Sequence, residues 1–287
     1  TRLENPYKIA MKRRETNEQI GEVTLLSKEE TQEKFPLLAE DYYALYVSGG
    51  ARVDGRALRQ SLTEAAIELG ATYINGKATL LVDGREIVGV HVTKSNNIDG
   101  ATEAVITEEK IYADNVILTN GVWMPETLVP LGISLPINIQ KGEIVHLQTD
   151  LDKSSDLPVV MAPYDHYMLH FPHGRMVVGA TRENHPSNMN QTAGGLNTVL
   201  TRALEVAPAL TDSSIVETRI GMRPFTKDNL PVFGKVPQFG RLYLANGLGS
   251  SGLSTGPIIG KQLAKMIVGG TADFDWDPYA IENALDE

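Results

Sequence analysis

The chain has 287 residues, 42% hydrophobic and 22% charged, so it can bury a sizeable core, and we expect two interleaved domains. Its formal net charge of −10, from 26 basic and 36 acidic residues, disfavours nucleic acid and anionic membranes as partners. No apolar run is long enough to span a bilayer, and the absence of cysteine excludes disulfides and thiolate catalysis. The absence of cysteine also fits a cytoplasmic location, and association into a homo-oligomer stays open.

The N-terminal part of the chain is predicted to be helical. Lys8 to Ile20 is charged and weakly helical, and Ser27-Lys28-Glu29-Glu30 has the pattern of a capping box for a short helix ending before Pro36. Asp54 is predicted to cap the next helix, and Gly70 to end it in the left-handed conformation. The apolar residues of this next helix share one side, which we expect to face the core: Leu58, Leu62, Ala65, Ala66 and Leu69.

Short strands are predicted after this helix, separated by turns such as Asn75-Gly76 and Asp83-Gly84. Asn115 to Thr119 is almost uniformly apolar, which predicts a strand buried on both faces, and it stops at Asn120-Gly121. An open α/β sheet binds its ligand at the carboxyl end of such a strand, although a bare strand end explains the pattern equally well. The strands of the preceding meander are predicted at Thr72–Ile74, Ala78–Val82, Ile87–Thr93, Ala104–Glu108 and Lys110–Tyr112, with a turn at Glu108-Glu109.

Further strands and one helix are predicted in the second half of the chain. Tyr167, Leu169 and Phe171 share one face of a strand, and Pro172-His173-Gly174 makes the turn that follows it. The strands are predicted at Ile137–Thr149, Val159–Met161, His166–Phe171, Arg175–Gly179 and Ile215–Ile220. The helix is predicted at Thr192–Ala207, with Leu196, Leu200, Ala203, Leu204 and Ala207 on its buried side.

Three histidines lie close together in the sequence and raise the question of a metal site. A zinc site needs at least three converging ligands. His166 and His170 lie on a strand whose residues alternate between faces, and the turn carries His173 away from them. We therefore predict no metal site in this chain.

A glycine-rich turn lies between a strand and a helix near the C-terminus. Leu242 to Ala245 is a short apolar run, Asn246 to Gly256 is the turn, and Pro257 is predicted to open the helix. Such a junction presents backbone N–H groups and the positive end of a helix dipole, which suit an anion or an electron-rich ring. A plain tight turn explains it as well. The glycines that would let a flat ligand lie against the backbone are Gly247, Gly249, Gly252 and Gly256.

Together with Gly221-Met222-Arg223-Pro224, this turn resembles the C-terminal signature of the D-amino acid oxidase family of flavoproteins, which includes glycine oxidase and sarcosine-type amine oxidases. The family opens with a strand, a GxGxxG turn and a helix, and the first half of this sequence contains no GxGxxG. We therefore expect a fragment, or a chain without its first segment, that holds flavin weakly or not at all. The resemblance extends over nearly the whole chain through VDGRALRQSLTEAAIELGA, ADNVILTNGVWMPE, LPINIQKGE and HGRMVVGATREN.

The resemblance implies a mixed α/β fold, in which a partial FAD-binding Rossmann-like domain is interleaved with an antiparallel-sheet substrate domain. Residues 1–52 would belong to the substrate domain and its connecting helices, and residues 135–222 would form the rest of that domain. Residues 53–134 and 223–287 would form the FAD-binding domain, the second of these ranges being its C-terminal part.

The resemblance also implies FAD as the cofactor and a small amino acid or amine as the substrate. Arg223 would clamp the substrate carboxylate, and the Tyr167 hydroxyl would support it. A buried structural ion pair is the alternative for Arg223, and a position at the edge of the core is the alternative for Tyr167. Trp123 would pack near the flavin rather than in a core. The other residues implied to contact FAD are Thr79, Thr119, Asn120, Gly121, Gly247, Leu248, Gly249, Ser250, Ser251, Gly252, Leu253 and Ser254.

The implied reaction is oxidation of a small amino acid at the C–H next to its deprotonated amine. Hydride transfer to flavin would give an imine that hydrolyses to a 2-oxo acid. Oxidation of a secondary amine of the sarcosine type and a non-catalytic fragment are the alternatives. Leu248 stands where the family often has histidine, and Ser250 where glycine oxidase has a large basic residue, so glycine is not carried over as the substrate.

Overall fold

The computed structural model describes residues 3–96, 105–151 and 157–285. The helices in these ranges are α1 (Glu4–Thr16), α2 (Lys28–Lys34), α3 (Gly55–Glu68), α4 (Met124–Leu128), α5 (Ala193–Val206) and α6 (Gly252–Ile267). The strands are β1 (Val23–Leu26), β2 (Ala44–Val47), β3 (Lys77–Asp83), β4 (Glu86–Asn96), β5 (Val105–Tyr112), β6 (Val116–Leu118), β7 (Asn138–Gln148), β8 (Val160–Ala162), β9 (His166–Phe171), β10 (Arg175–Gly179), β11 (Glu183–Asn184), β12 (Ser214–Phe225), β13 (Val232–Lys235) and β14 (Leu242–Asn246).

The chain divides into two compact units that each combine two stretches of sequence. Unit 1 is Thr1–Asp54 with Lys141–Gly221, and unit 2 is Gly55–Gln140 with Met222–Glu287. Mixed helices and antiparallel sheets agree with the predicted fold class. No helix in the described part of the chain is long and apolar enough to cross a membrane.

Unit 1 is built on a sheet with the strand order β11-β7-β10-β9-β8, in which β12 also pairs with β7. The register sets Tyr167 opposite Gly179 and Gly179 opposite Ile144. Alternate residues of β9 are buried, and those between them, including Tyr167, are half-buried. The buried face packs under α5 around Val145, Met168, Met176, Val178, Val199 and Ala203, so Tyr167 lies on the opposite face from α5.

Unit 2 contains two small sheets. In one, β14 pairs antiparallel with β13 and parallel with β6. In the other, β3, β4 and β5 form an antiparallel meander, and the backbone N–H of Ile87 donates to the carbonyl of Gly240 at 3.2 Å. The core between these elements is apolar and includes Ile87, Met124, Leu128, Leu135, Val232, Val236, Leu242 and Leu244.

Local sequence signals correctly predict many of the element ends. Ser27 and Glu30 form the predicted capping box on α2, and the hydroxyl of Thr192 caps α5 by accepting from the N–H of Gly195. Gly70 takes the predicted left-handed conformation after α3, with φ of 101°. These devices are local, so they can be identified from a few residues.

Several predictions about strands are wrong. Thr72–Ile74 forms no strand, and Tyr73 is exposed. Glu108 and Glu109 lie within β5 rather than in a turn, because cross-strand pairs with His91 (3.4 Å) and Lys94 (2.9 Å) accommodate both carboxylates. The predicted strand start at Ala104 lies outside the described residues.

Two predicted helix features and one strand environment also need correction. α6 begins at Gly252, ahead of Pro257, because the carbonyl of Ser251 already accepts the N–H of Thr255 in a helical bond of 2.9 Å. Leu204 of α5 is 36% exposed, because the buried face is centred on Val199, Ala203 and Val206. Ile117 of β6 is 43% exposed, so this strand is not buried on both faces.

The prediction that α3 faces a core is wrong for the described structure. α3 has no buried residue, and Leu62 and Leu69 are 56% and 90% exposed. The apolar stripe is present as the sequence indicates, but within unit 2 it borders an open groove. A sequence pattern defines the stripe, whereas burial requires a partner surface.

Candidate functional site

The carboxyl ends of two parallel strands meet in unit 2. β6 leads into Thr119-Asn120-Gly121, and β14 ends at Asn246. Asn246 is 1% exposed, and its Nδ2 donates to the carbonyl of Gly121 at 2.8 Å. Because parallel strands end at the same edge, this amide joins two of the predicted cofactor segments.

The turn after Asn246 needs glycine at two positions. Gly247 has φ of 72°, and a Cβ there would lie 2.7 Å from Cγ2 of Thr226. Gly249 has φ of 52°, and a Cβ there would overlap the ring of Phe225. The N–H of Gly249 donates to the carbonyl of Pro224 at 2.9 Å, which attaches the turn to the end of β12. The turn is therefore held beside the segment that carries Arg223.

The serines of the turn stabilise the start of α6. The hydroxyl of Ser251 donates to the carbonyl of Leu248 at 2.9 Å, and the hydroxyl of Ser254 donates to the carbonyl of Ser251 at the same distance. Ser250 and Leu253 are exposed, and Leu248 is half-buried. The first N–H groups of any α-helix lack intrahelical acceptors, so the start of α6 can accept a phosphate or another electron-rich group.

Arg223 lies near the end of β12 and is half-buried. Its guanidinium Nη1 donates to Oε1 of Gln140 at 3.1 Å. The neutral amide oxygen of Gln140 orients the guanidinium. In the following turn, Asp228 accepts from the N–H of Leu230 at 3.0 Å and from the hydroxyl of Thr226 at 2.9 Å, and the backbone bond from Leu230 lowers the pKa of Asp228. Asp228 therefore stabilises this turn.

Tyr167 lies in unit 1, on the face of the sheet opposite α5. Its hydroxyl lies beside Gly179, where an added Cβ would be 3.2 Å from the oxygen. Ile144 flanks the same glycine, so the phenol occupies a site with no room for a side chain at position 179. The half-buried environment of Tyr167 fits either role predicted for it.

The two other predicted cofactor residues, Thr79 and Trp123, are both exposed. Thr79 lies in the middle of β3, opposite His91. Trp123 is 62% exposed, so it is not a core tryptophan of the described structure. Its position close to flavin stays a prediction. Among the residues that the structure describes, no group of three or more histidine, cysteine or acidic residues could hold a metal ion.

Sequence reasoning missed an apolar groove in unit 2. The groove has a volume of about 670 Å³ and lies between α3 and the first turns of α6. Its walls include Leu58, Leu62, Ala66, Gly252 and Leu253. The signal was available in the apolar stripe of α3, which the prediction assigned to a core.

The residues present fit a flavin dinucleotide on structural grounds. Gly247 and Gly249 carry no side chain, and the turn that contains them leads into the N-terminus of α6, whose backbone N–H groups suit an anion such as a phosphate. Residues 3–266 match the family described as FAD dependent oxidoreductase. The chain belongs to this family of FAD-dependent oxidoreductases. FAD is therefore its cofactor, as predicted, and the predicted enzyme class is confirmed.

Similar proteins and similar solved structures agree with the assignment of this chain to the family of FAD-dependent oxidoreductases. An uncharacterized oxidoreductase of Bacillus subtilis, YurR, is 45% identical over 99% of the chain and 73% of the relative. Glycine oxidase of the same organism is 28% identical over 90% of the chain and 66% of its own length. The crystal structure of iminodiacetate oxidase from Chelativorans sp. BNC1 is 35% identical, with a TM-score of 0.86 over 97% of the chain and 72% of that structure. The chain thus spans roughly two thirds to three quarters of the length of these proteins.

Proposed function

We propose that this oxidoreductase oxidises a small amino acid at the C–H next to the amine and that Arg223 binds the substrate carboxylate. Arg223 carries the proposal because its half-buried guanidinium is bonded to a neutral amide and lies on a strand attached to the glycine turn. A guanidinium presents two parallel N–H groups that match both oxygens of a carboxylate, and it stays charged when partly desolvated. The family resemblance supports the same role.

By the family resemblance, we assign Tyr167 the role of an uncharged contact to a substrate carboxylate. A phenol is neutral near pH 7 and both donates and accepts, so it orients an anion without adding charge. The absence of a side chain at Gly179 lets the hydroxyl of Tyr167 take its position beside Ile144, and the family resemblance supports the assignment. The domain roles follow from these assignments: unit 2 would be the FAD-binding domain, and unit 1 the substrate domain.

The bound flavin would supply the chemistry by accepting a hydride from the substrate carbon. The residues of the chain would bind and orient the substrate and exclude water from the reacting atoms. The glycine turn, Thr119-Asn120-Gly121 and the first turn of α6 would hold the cofactor through backbone groups. The imine product hydrolyses to a 2-oxo acid in water.

A secondary-amine substrate is the second candidate. The observation that favours it is the 35% identity and TM-score of 0.86 to iminodiacetate oxidase, since iminodiacetate is a secondary amine. Ser250 is a small residue at an exposed position in the turn, so the chain places no large basic side chain there. Both candidates share the carboxylate that Arg223 would bind.

The two candidates differ in the substrates that reduce the enzyme. We expect full-length protein loaded with FAD to lose its flavin absorption band under anaerobic conditions when a substrate is added. Loss of the band with glycine or alanine selects a primary amino acid, and loss only with sarcosine or iminodiacetate selects a secondary amine. A flavin-loaded protein that keeps the band with every one of these compounds would contradict the proposed function.

A further inference from the structure

A polar cavity, distinct from the apolar groove of unit 2, lies in unit 1 on the face of the sheet that packs under α5. It has a volume of about 440 Å³. Gly194, Thr198 and Arg202 line it from α5, and because they are four residues apart they form one stripe along the helix. Tyr167 points to the other face of the sheet, so this cavity is separate from the substrate contact proposed for Tyr167.

The walls of the cavity carry charges of both signs. Arg182 and Arg202 are its basic residues, and Asp165, Glu143 and Glu183 are its acidic residues. Arg182 contacts Asp165 at 3.5 Å, with side chains that are 49% and 67% exposed. A bare anion would therefore lie close to carboxylates, and a bare cation close to guanidinium groups, whereas a molecule with both charges can match both.

Buried groups hold the acidic wall in place. The Nζ of Lys141, whose side chain is 0% exposed, lies 2.8 Å from Glu183 and 3.3 Å from Glu143. It also donates to the carbonyls of Asn188 and Asn190. Glu143 accepts from the N–H and the hydroxyl of Thr192 at 3.2 and 2.9 Å, so it is tied to the start of α5. A wall fixed in this way is preorganised for a ligand.

A buried histidine adjoins Asp165, a residue of the cavity wall, without lining the cavity itself. His166 is 0% exposed, and neither ring nitrogen has a hydrogen-bond partner among the described residues. Buried polar atoms are nearly always hydrogen-bonded, so two such nitrogens call for an explanation. His166 follows Asp165, a wall residue, and burial together with the charge of Arg202 lowers the pKa of His166 to about 4. The imidazole is therefore neutral at pH 7 and can donate one hydrogen bond and accept another.

We propose that this cavity binds a small zwitterionic amino acid, with its carboxylate toward Arg202 and its ammonium group toward Glu183 and Asp165. Thr198 lies one helical turn from Arg202, and its hydroxyl, which donates to the carbonyl of Gly194 at 2.9 Å, would turn to donate to the same carboxylate. The volume falls within the range of small-molecule sites and leaves room for a short side chain. The site does not depend on the flavin or on Arg223.

The experiment uses the full-length protein loaded with FAD and follows the imidazole signals of His166 by NMR, assigned with the His166→Gln variant. We expect glycine and serine to shift these signals to saturation, and acetate, methylammonium and inorganic phosphate to leave them unshifted. Arg202→Gln should weaken the binding about tenfold or more, as expected for loss of a hydrogen bond to a charged group, and Arg202→Lys should weaken it less. Arg223→Gln should leave the binding of glycine and serine at this cavity unchanged, and this result would separate the cavity from the proposed substrate site.

Three results would overturn the proposal. One is the absence of a saturable shift with glycine and serine. The second is an equal shift with acetate or phosphate, which would indicate an anion site. The third is unchanged binding in folded Arg202→Gln protein. If Arg202→Gln does not fold, Thr198→Val replaces it, and unchanged glycine and serine binding in that variant would overturn the proposal in the same way.

Discussion

Helices α3 and α5 have similar sequences in one respect and opposite environments. Each carries an apolar stripe, but α5 buries Val199, Ala203 and Val206 in a core, whereas α3 buries no residue and borders the groove beside α6. An apolar stripe therefore indicates where a partner surface can pack, but it does not show that such a surface is present. The region around α5 is closed and densely bonded, and the region around α3 and the glycine turn is open.

The largest difference is expected from placing a charge on each stripe. Val199→Asp puts a carboxylate at a position that is 1% exposed, and we expect it to lower the free energy of unfolding by about 4 kcal/mol or more. Leu62→Asp is the matched change on α3, at a position that is 56% exposed. It should change the free energy of unfolding by less than about 1 kcal/mol. Urea unfolding of the 287-residue chain measures both values. Equal losses would show that α3 is buried as α5 is.

The next effect concerns Lys141 in the closed region. Lys141→Met removes the cation from Glu143, which is 1% exposed, and leaves a buried carboxylate without its charge partner. We expect the thermal midpoint to fall by several degrees. Lys8→Met is the control, because Lys8 pairs with Glu4 on an exposed helix surface and such pairs contribute little. A midpoint that falls no further in Lys141→Met than in Lys8→Met would contradict the structural role of Lys141.

A moderate effect is expected from the glycine turn in the open region. Gly249→Ala forces a side chain into a left-handed conformation against the ring of Phe225, and we expect a loss of about 1–3 kcal/mol. Gly260→Ala lies inside α6, where an added Cβ meets nothing within 4 Å, and should stabilise the chain by up to about 1 kcal/mol. Chemical unfolding distinguishes the signs. A stabilising Gly249→Ala would show that the turn does not need glycine.

The last comparison is the pH dependence of stability that His166 contributes. Its pKa in the folded chain is about 4, below its ordinary value of 6.5, because burial and Arg202 disfavour the charged form. Between these values the unfolded chain binds more protons, so stability is complete above about pH 6.5 and falls as the pH is lowered toward 4. His166→Gln should reduce this slope by an amount approaching one proton. An unchanged slope in His166→Gln would contradict the burial of a neutral imidazole.

Sequence reasoning succeeded where the signal is local. The capping box at Ser27, the cap at Thr192 and the strand alternation around Tyr167 depend on neighbouring residues, and the structure has each of them. It failed where the answer depends on distant partners. The exposure of α3 and of Ile117 depends on which surfaces cover them, and the strand through Glu108 and Glu109 depends on cross-strand cations.

The candidate site also has parts that the sequence could predict and parts that it could not. Sequence motifs led to Arg223, to the glycine turn and to Thr119-Asn120-Gly121, and the structure joins the last two through Asn246. The motifs gave no indication of Gln140 as the partner of Arg223, because that bond connects residues far apart in the sequence. The polar cavity beside α5 also escaped prediction, since its walls come from several separate segments.

The central claim is that the Arg223 guanidinium binds the substrate carboxylate. The direct test is the anaerobic rate of flavin reduction in full-length protein, measured against substrate concentration for Arg223→Gln, Arg223→Lys and the control Arg241→Gln, whose side chain is half exposed beside Glu86. We expect Arg223→Gln to lower kcat/KM about a hundredfold, with Arg223→Lys in between and Arg241→Gln unchanged. Full activity in a flavin-loaded Arg223→Gln variant would contradict the claim.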